Sequence, residues 1–175
     1  MASARTTRAP GSSLLSFSAR FFGFLFLASL LFSLLGLHAR LLPVQTGIAR
    51  AAVLLARSFG VPVEQHGAYI STPSGTSLHV NHECTGVFVL VIWASFLFAY
   101  PAGSGPRALG FLLGLVVIEG TNIARLATLA AVGSKYPALF DYFHEYLWQG
   151  VFVALLAVLG SWWRDRVERA HAVSA

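Results

Sequence analysis

The chain has 175 residues, of which 56% are hydrophobic and only 11% are charged. This composition excludes an ordinary water-soluble domain, in which about a quarter of the residues carry charge. The formal net charge of +5 requires no nucleic-acid partner, because arginines collect in the cytoplasmic loops of membrane proteins and face anionic lipid head groups. The sequence therefore predicts an integral membrane protein that contacts lipid and binds no nucleic acid.

Four apolar stretches approach or exceed the roughly 17 to 25 residues that cross a bilayer as a helix. They are residues 21–37, 87–100, 108–132 and 144–163. At about 1.5 Å per residue, the second stretch is shorter than a hydrocarbon core of about 30 Å, so we expect its helix to begin upstream, near Cys84. The fold class that follows is an all-α integral membrane protein with about four transmembrane helices.

The arginines outside the apolar stretches predict how the chain is oriented. Seven of them precede the first span, separate the second from the third or follow the last: Arg5, Arg8, Arg20, Arg107, Arg164, Arg166 and Arg169. The exceptions lie between the first and second spans: Arg40, Arg50 and Arg57. Short cytoplasmic loops collect such residues. We therefore predict cytoplasmic tails at residues 1–20 and 164–175 around a membrane-embedded domain at 21–163. Residues 41–83 and 133–143 then lie on the extracytoplasmic side of a cell membrane, for which the bacterial inner membrane is expected.

Residues 44–59 have the pattern of an amphipathic helix. Polar and basic side chains share one face and apolar side chains lie mostly on the other: Thr46, Arg50 and Arg57 against Ile48, Ala51, Leu55 and Phe59. Such a helix suits the membrane interface. A fifth crossing here stays open but is less favoured, because it would bury two arginines.

Residues 60–83 predict a small extracytoplasmic β-hairpin. Single apolar residues are spaced along a polar stretch, and Pro73-Ser74-Gly75 is typical of a turn between two short extended segments. Side chains of a strand alternate between its two sides. In an extended segment, one side would carry Leu78, Val80, His82 and Cys84, and the other would carry His79, Asn81 and Glu83.

Cys84 is the only cysteine in the chain, and it lies at the edge of the second span. A single thiol cannot form an intramolecular disulfide, and a buried one often serves only packing. A thiol becomes nucleophilic as the thiolate, which a helix amino terminus or a nearby cation favours. Both are expected at this position, so Cys84 is a candidate nucleophile.

Polar residues interrupt the third span at Glu119, Asn122 and Arg125. Ionisable groups at membrane depth are costly and mark function by default. The structural alternative is that Arg125 reaches lipid phosphate or pairs with a carboxylate for helix packing. Glu119 receives no catalytic role, because a neutral packing residue explains it equally well, and Glu83 also stays without a role.

His144 opens the last span, after the outer loop 133–143. A single interfacial histidine is more often a solvated surface residue than a catalyst. Its coincidence with Cys84 and Arg125 favours function, because the three residues come from three different helices and map to the same outer level. Nucleophilic catalysis requires this kind of arrangement.

The ordered set Cys84-Thr85-Gly86, Asn122-x-x-Arg125 and His144 resembles the exosortase/archaeosortase family of membrane cysteine transpeptidases. The compact length is most similar to the short exosortase H type. The resemblance implies recognition of exported proteins that end in a sorting signal, which consists of a short motif, a transmembrane helix and a basic tail. Cleavage near the motif through a Cys thioester and transfer to an acceptor are also implied.

Carried over by motif, Cys84 would be the nucleophile, Arg125 the charge stabiliser and His144 the acid/base, with Asn122 and Gly86 in support. Elementary chemistry agrees with these roles, because a guanidinium offers donors in a fixed fork to a developing oxyanion, and an imidazole can protonate a leaving amine. No cofactor or metal is expected. The motif recognised, the acceptor and the oligomeric state do not follow from the sequence.

Two other classes of function stay open. One is a non-catalytic membrane assembly factor, in which Cys84 is a packing residue and Arg125 a structural partner. The other, less favoured, is a metal or haem site built from His79, His82, Cys84 and His66, since imidazole and thiolate are good ligands for zinc and copper. Strand alternation argues against it, because His79 would point away from His82 and Cys84.

Overall fold

The computed structural model describes residues 10–173. Residues 1–9 of the predicted amino-terminal tail and residues 174–175 of the predicted carboxy-terminal tail lie outside this range. The helices, in chain order, are α1 (Pro10–Leu34), α2 (Leu37–Arg40), α3 (Leu42–Ser58), α4 (Val87–Ala99), α5 (Ser104–Lys135), α6 (Phe140–Tyr142) and α7 (Trp148–Val173). The strands are β1 (Glu64–His66), β2 (Tyr69–Ser71) and β3 (Ser77–His79).

Three helical segments in the described part of the chain are long and apolar enough to cross a membrane: Leu14–Leu34, Ser104–Lys135 and Pro137–Ala170. Helix α4 is apolar but has only 13 residues. These segments confirm a helical membrane protein, while a fourth crossing and the orientation stay predictions. Helix α1 begins at Pro10, before the start of the predicted span 21–37, and α7 continues to Val173, past the end of the predicted span 144–163. A helix can extend past its apolar part.

The expectation that the second span begins as a helix near Cys84 was wrong. Residues His82–Thr85 form a separate 3₁₀ turn, and α4 begins only at Val87. Gly86 separates the two with φ of +71°, a left-handed conformation that costs a glycine little. The backbone therefore changes direction immediately after the cysteine.

The core between α4, α5 and α7 depends on two tryptophans that lie against glycines of α5. Trp93 is 1% exposed, and its Nε1 donates a hydrogen bond to the Gly110 carbonyl at 3.0 Å. A β-carbon on Gly114 would collide with the Trp93 indole, and one on Gly110 would collide with the Trp163 indole. The two glycines therefore allow close approach of the three helices.

We expect Gly114→Ala to destabilise the protein by about 1–3 kcal/mol, as overpacking of a dense core typically does. The new methyl group would displace Trp93 and break its hydrogen bond to Gly110. Thermal unfolding in detergent measures the effect. Gly120→Ala on the same helix is the matched control, since its β-carbon meets nothing within 4 Å and alanine favours helix. An unfolding temperature for Gly114→Ala at or above that of Gly120→Ala would contradict the packing argument.

A second core joins α3, the sheet and the carboxy-terminal half of α5, and it includes Cys84. Helix α3 matches the predicted 44–59, but its buried face differs from the predicted apolar face. The buried residues are Gln45, Ala49, Ala52, Val53 and Ala56. Phe59, directly after α3, is 78% exposed. The buried face consists mostly of small side chains, which let α3 pack closely on α5. No described helix in this segment ranks among those apolar enough to span a membrane.

The predicted hairpin is present as β2 and β3, with Pro73-Ser74-Gly75 in its turn. The sequence missed β1, which pairs antiparallel with β2 and gives the sheet order β1-β2-β3. Two hydroxyls of the turn, on Ser74 and Thr76, each donate a hydrogen bond of 3.0 Å to the Gly133 carbonyl. The last carbonyls of a helix need partners from outside it, so the sheet is tied to the end of α5.

The predicted alternation along residues 78–84 holds only for its first part. Leu78 and Val80 are buried, at 8% and 0% exposure, but β3 ends at His79 and the chain turns at His82. The cause is Asn81, whose side chain accepts a hydrogen bond from the Cys84 N–H. Such local bonds compete with strand pairing and start helical turns.

Candidate functional site

Cys84 is held in the 3₁₀ turn and is 7% exposed. Its backbone N–H donates to the Asn81 side-chain oxygen at 3.0 Å, and the Thr85 hydroxyl donates to the His82 carbonyl at 2.6 Å. These bonds fix the turn from within. The thiol therefore has a defined position just before α4, near the end of that helix where the dipole is positive.

Asn122 connects α5 to this turn. The residue is fully buried, and its Nδ2 donates to the Cys84 carbonyl at 2.9 Å. Because Asn122 binds the backbone and not the thiol, the sulfur stays available for chemistry. Asn122 thus ties the turn that carries Cys84 to α5.

Arg125 lies about one helical turn beyond Asn122 on α5 and interacts electrostatically with the Cys84 side chain. Its guanidinium carbon lies 5.6 Å from the centroid of the Phe152 ring on α7, within the range of a cation–π contact. The guanidinium is therefore held between the thiol and an aromatic face. This placement contrasts with the structural alternative in which Arg125 reaches away to lipid.

Glu119 also belongs to this cluster, although sequence reasoning assigned it no role. Its carboxylate lies so close to Gly86 that a β-carbon there would be 2.7 Å from Oε1. Gly86 is therefore needed for space as well as for its left-handed backbone. In the sequence, only the spacing of residues 119, 122 and 125 along one helix indicated that Glu119 could lie near this cluster.

His144 lies in a π-helical turn, Phe143–Leu147, that leads into α7. Its ring stacks on Phe140 with 5.8 Å between centroids and 8° between planes. Within residues 10–173, no hydrogen bond or ion pair joins His144 to Cys84 or Arg125. The structure therefore brings Cys84, Asn122, Arg125 and Gly86 into one cluster, whereas the contact that it gives His144 is with Phe140. Single π-helical turns occur frequently at functional sites.

Trp148 and Phe152 connect the first turns of α7 to the cluster. Trp148 packs against the apolar cluster that contains Cys84, and Phe152 lies under Arg125. The helix that follows the π-helical turn of His144 therefore packs on the site. Sequence reasoning missed Trp148, whose spacing from His144 was the available signal.

Four side-chain atoms in the described part of the chain are buried without a hydrogen-bond partner. They are Glu119 Oε2, Asn122 Oδ1, Arg125 Nε and Trp148 Nε1. Each such atom typically costs about 1–3 kcal/mol, and a native protein contains few of them. All four atoms belong to residues in or beside the cluster around Cys84, which makes this region the candidate functional site.

The histidines considered as metal ligands do not converge with the cysteine. His79 stacks on Tyr69, with 4.4 Å between ring centroids, and His66 lies in β1 beside Glu64 at 3.4 Å. Among residues 10–173, no group of three or more His, Cys, Asp or Glu side chains is arranged to hold a metal ion.

A buried cysteine beside an arginine, inside a bundle of membrane-spanning helices, defines the class as a helical membrane protein with a candidate thiol site. A family model described as transmembrane exosortase matches residues 8–167. The chain belongs to the transmembrane exosortase family, which confirms the predicted resemblance. Comparisons with curated proteins and with solved structures gave no match.

Proposed function

We propose that the chain is a membrane cysteine protease/transpeptidase of the bacterial inner membrane, acting on the extracytoplasmic side. Its substrates are exported proteins that end in a short motif, a transmembrane helix and a basic tail. The observation that carries the proposal is the position of Cys84, which is buried in a fixed turn between the amino terminus of α4 and Arg125. A helix amino terminus and a neighbouring guanidinium are features that accompany nucleophilic cysteines in enzymes.

In the proposed reaction, the Cys84 thiolate attacks the carbonyl carbon of the scissile peptide bond. The carbon–nitrogen bond breaks, the amine departs with a proton, and the substrate stays bound as a thioester. An acceptor nucleophile then attacks the thioester, loses its own proton and regenerates the thiolate. Covalent catalysis of this kind replaces one difficult step by two easier ones.

Arg125 has the role of stabilising the negative charge that develops on the carbonyl oxygen. Its Nε is buried and has no hydrogen-bond partner, so a donor is free at the site. The contact over Phe152 at 5.6 Å restricts the guanidinium before the substrate arrives. Donors that are preorganised in a dry site are among the largest contributions to catalysis.

His144 has the role of protonating the departing amine and then deprotonating the acceptor. The imidazole belongs to the π-helical turn that leads into α7, and the next turn of that helix packs on the thiol cluster through Trp148. The scissile bond would occupy the space between sulfur and imidazole, and catalytic hydrogen bonds often shorten only when substrate is bound.

A processing assay in membranes tests the function. A reporter that carries the carboxy-terminal segment of an exported host protein, with motif, helix and basic tail, is expressed with the chain. Cleavage is followed by the loss of the tail, and the thioester is sought as a conjugate of reporter and enzyme that hydroxylamine releases. Absence of both cleavage and conjugate for every such segment in the host would contradict the proposal.

We expect His144→Ala to lower the processing rate by about 10²- to 10⁴-fold, the usual contribution of general acid/base catalysis. The fold should be retained, since the ring makes a stacking contact with Phe140 and is only partly buried. The same reporter assay gives the rate. His66→Ala is the control, because His66 is an exposed histidine of β1 whose side chain pairs with Glu64. Parent-rate processing by His144→Ala would assign the proton transfer to another group.

A further inference from the structure

Strand β3 has one free edge. The strand order is β1-β2-β3, so among the described strands β3 pairs only with β2. Just beyond β3, the Val80 N–H donates a hydrogen bond to the Ala68 carbonyl at 2.8 Å. Hydrogen-bonded and non-hydrogen-bonded pairs alternate along an antiparallel ladder. Ser77 and His79 therefore direct their backbone groups away from β2.

The backbone groups on this edge are available for pairing. Ser77 and His79 are exposed, whereas Leu78 between them is buried. Across the described residues, no hydrogen bond involves the Ser77 N–H, the Ser77 carbonyl or the His79 N–H. The His79 carbonyl is used, since it accepts a hydrogen bond of 3.0 Å from the Asn81 N–H. The edge thus presents two donors and one acceptor, and such edges are templates for pairing with another chain.

The segment from β3 onward leads to the candidate nucleophile. Thr76, immediately before β3, is tied to the Gly133 carbonyl at 3.0 Å. Cys84, after β3, is tied through its carbonyl to Asn122 at 2.9 Å. Asn122 and Gly133 are about three turns apart on α5, or about 16 Å along the axis. Strand β3 and the residues after it therefore run beside the carboxy-terminal half of α5 toward the sulfur.

The segment that carries His144 begins beside the same strand. A β-carbon on Gly133 would lie 3.0 Å from Thr76 Cγ2 and 3.4 Å from Phe140 Cδ2. The Phe140 ring in turn stacks on His144. Strand β3 therefore starts near the residue on which the proposed acid/base stacks, and the chain that follows it leads to the proposed nucleophile.

We propose that the free edge of β3 binds the recognition motif of the substrate as an added, extended strand. The Ser77 N–H and carbonyl and the His79 N–H pair with the substrate backbone, which is the mode of peptide binding called β-strand addition. An edge of three residues can hold a short peptide in register. A stable interface between two copies of the chain typically buries about 1,200 Å² or more, which three residues do not supply. The inference rests on the proposed function, because the bound peptide is its substrate.

A disulfide scan tests the added strand directly. The chain carries Cys84→Ala and Ser77→Cys, so its only thiol lies on the β3 edge. The reporter of the processing assay carries one cysteine at a time, moved residue by residue through the motif region, and the membranes are oxidised with copper phenanthroline. Successive side chains of a strand point to opposite sides. We therefore expect disulfides between chain and reporter at every second position, with yields at least about fivefold above those of the intervening positions.

Glu64→Cys in the same Cys84→Ala background is the matched control for the scan. Glu64 is exposed on β1, the opposite edge of the sheet, and should give only background yields. Yields equal to those of Ser77→Cys, disulfides without alternation, or no disulfide with a reporter that the parent chain cleaves would overturn the proposal. Disulfides between two copies of the Ser77→Cys chain in place of the reporter would assign the edge to self-association and would also overturn it.

The scan does not depend on cleavage, so the proposed function and the edge can fail separately. Alternating disulfides with a reporter that the parent chain does not process would support the edge and reject the proposed peptide-bond chemistry. Processing without such disulfides would reject the edge and leave the proposed function intact.

Proline at position 79 gives a second test, because proline has no N–H and is tolerated on edge strands where the N–H faces away from the sheet. We expect His79→Pro to process the reporter about five- to twentyfold more slowly than His79→Ala, which loses the same ring but keeps the N–H. The effect should fall on KM more than on kcat, since the bond forms already in the bound substrate. Equal rates for the two variants at equal abundance would contradict pairing at this residue. The disulfide scan decides the matter if His79→Pro does not accumulate.

Discussion

Cys84→Ala is expected to abolish cleavage of the reporter and formation of the hydroxylamine-sensitive conjugate. No thioester can form without the sulfur, and no second cysteine exists in the chain to replace it. The expected loss is at least about 10⁴-fold, since removal of a nucleophile typically leaves only the contributions of binding and charge stabilisation. The rate is measured in the membrane processing assay at equal enzyme abundance.

The fold should survive this change. The thiol is buried but small, and the bonds that fix the turn come from the Cys84 backbone, Asn81 and Asn122. An unfolding temperature close to that of the parent would show that lost processing reflects lost chemistry. Cys84→Ser serves as a second variant, because a hydroxyl is nearly isosteric but a far weaker nucleophile at neutral pH. Processing by Cys84→Ala at the parent rate would favour the non-catalytic assembly factor.

Arg125→Lys is expected to lower the processing rate by about 10²- to 10³-fold although the positive charge is kept, the usual cost of losing an oxyanion donor. A lysine ammonium is a point charge and lacks the planar fork of a guanidinium. It would also lose the stacking geometry over Phe152, where the guanidinium carbon lies 5.6 Å from the ring centroid. The effect should fall on kcat more than on KM, because the contact forms with charge that develops in the transition state.

Arg50→Lys is the matched control for this substitution. Arg50 is exposed on α3 and has no role in the proposed reaction, so the variant should process the reporter at the parent rate. Equal activity of Arg125→Lys and Arg50→Lys would mean that charge is sufficient at position 125. The fixed fork of donors would then have no part in the mechanism.

Much of the fold could be predicted because hydropathy and turn residues act locally. The apolar stretches located the membrane-spanning helices, and Pro73-Ser74-Gly75 located the hairpin. Strand β1 was missed because its three residues, Glu64–His66, have no apolar alternation and are strands only through pairing with β2. The 3₁₀ turn was also missed, since one hydrogen bond from the Cys84 N–H to the Asn81 side-chain oxygen outweighs a pattern that favours an extended chain.

The candidate site could be predicted in part for the same reason. Cys84, Asn122 and Arg125 are conspicuous as polar or reactive residues at membrane depth, and the structure brings them together. Glu119 and Trp148 could not be assigned to the site, because their relevance depends on contacts with Gly86 and with the apolar cluster around Cys84. The stacking of His144 on Phe140 depends on how the segment before α7 folds, which no sequence pattern specifies.

The turn that carries the sulfur is tied to the middle part of α5 and not to its end. Asn122, which binds the Cys84 carbonyl, precedes the end of α5 at Lys135 by 13 residues, about 20 Å along the helix axis. Helix α3 and the sheet pack around the carboxy-terminal half of α5. In the proposed reaction, a substrate would therefore reach the thiol as an extended segment of chain that passes alongside these elements.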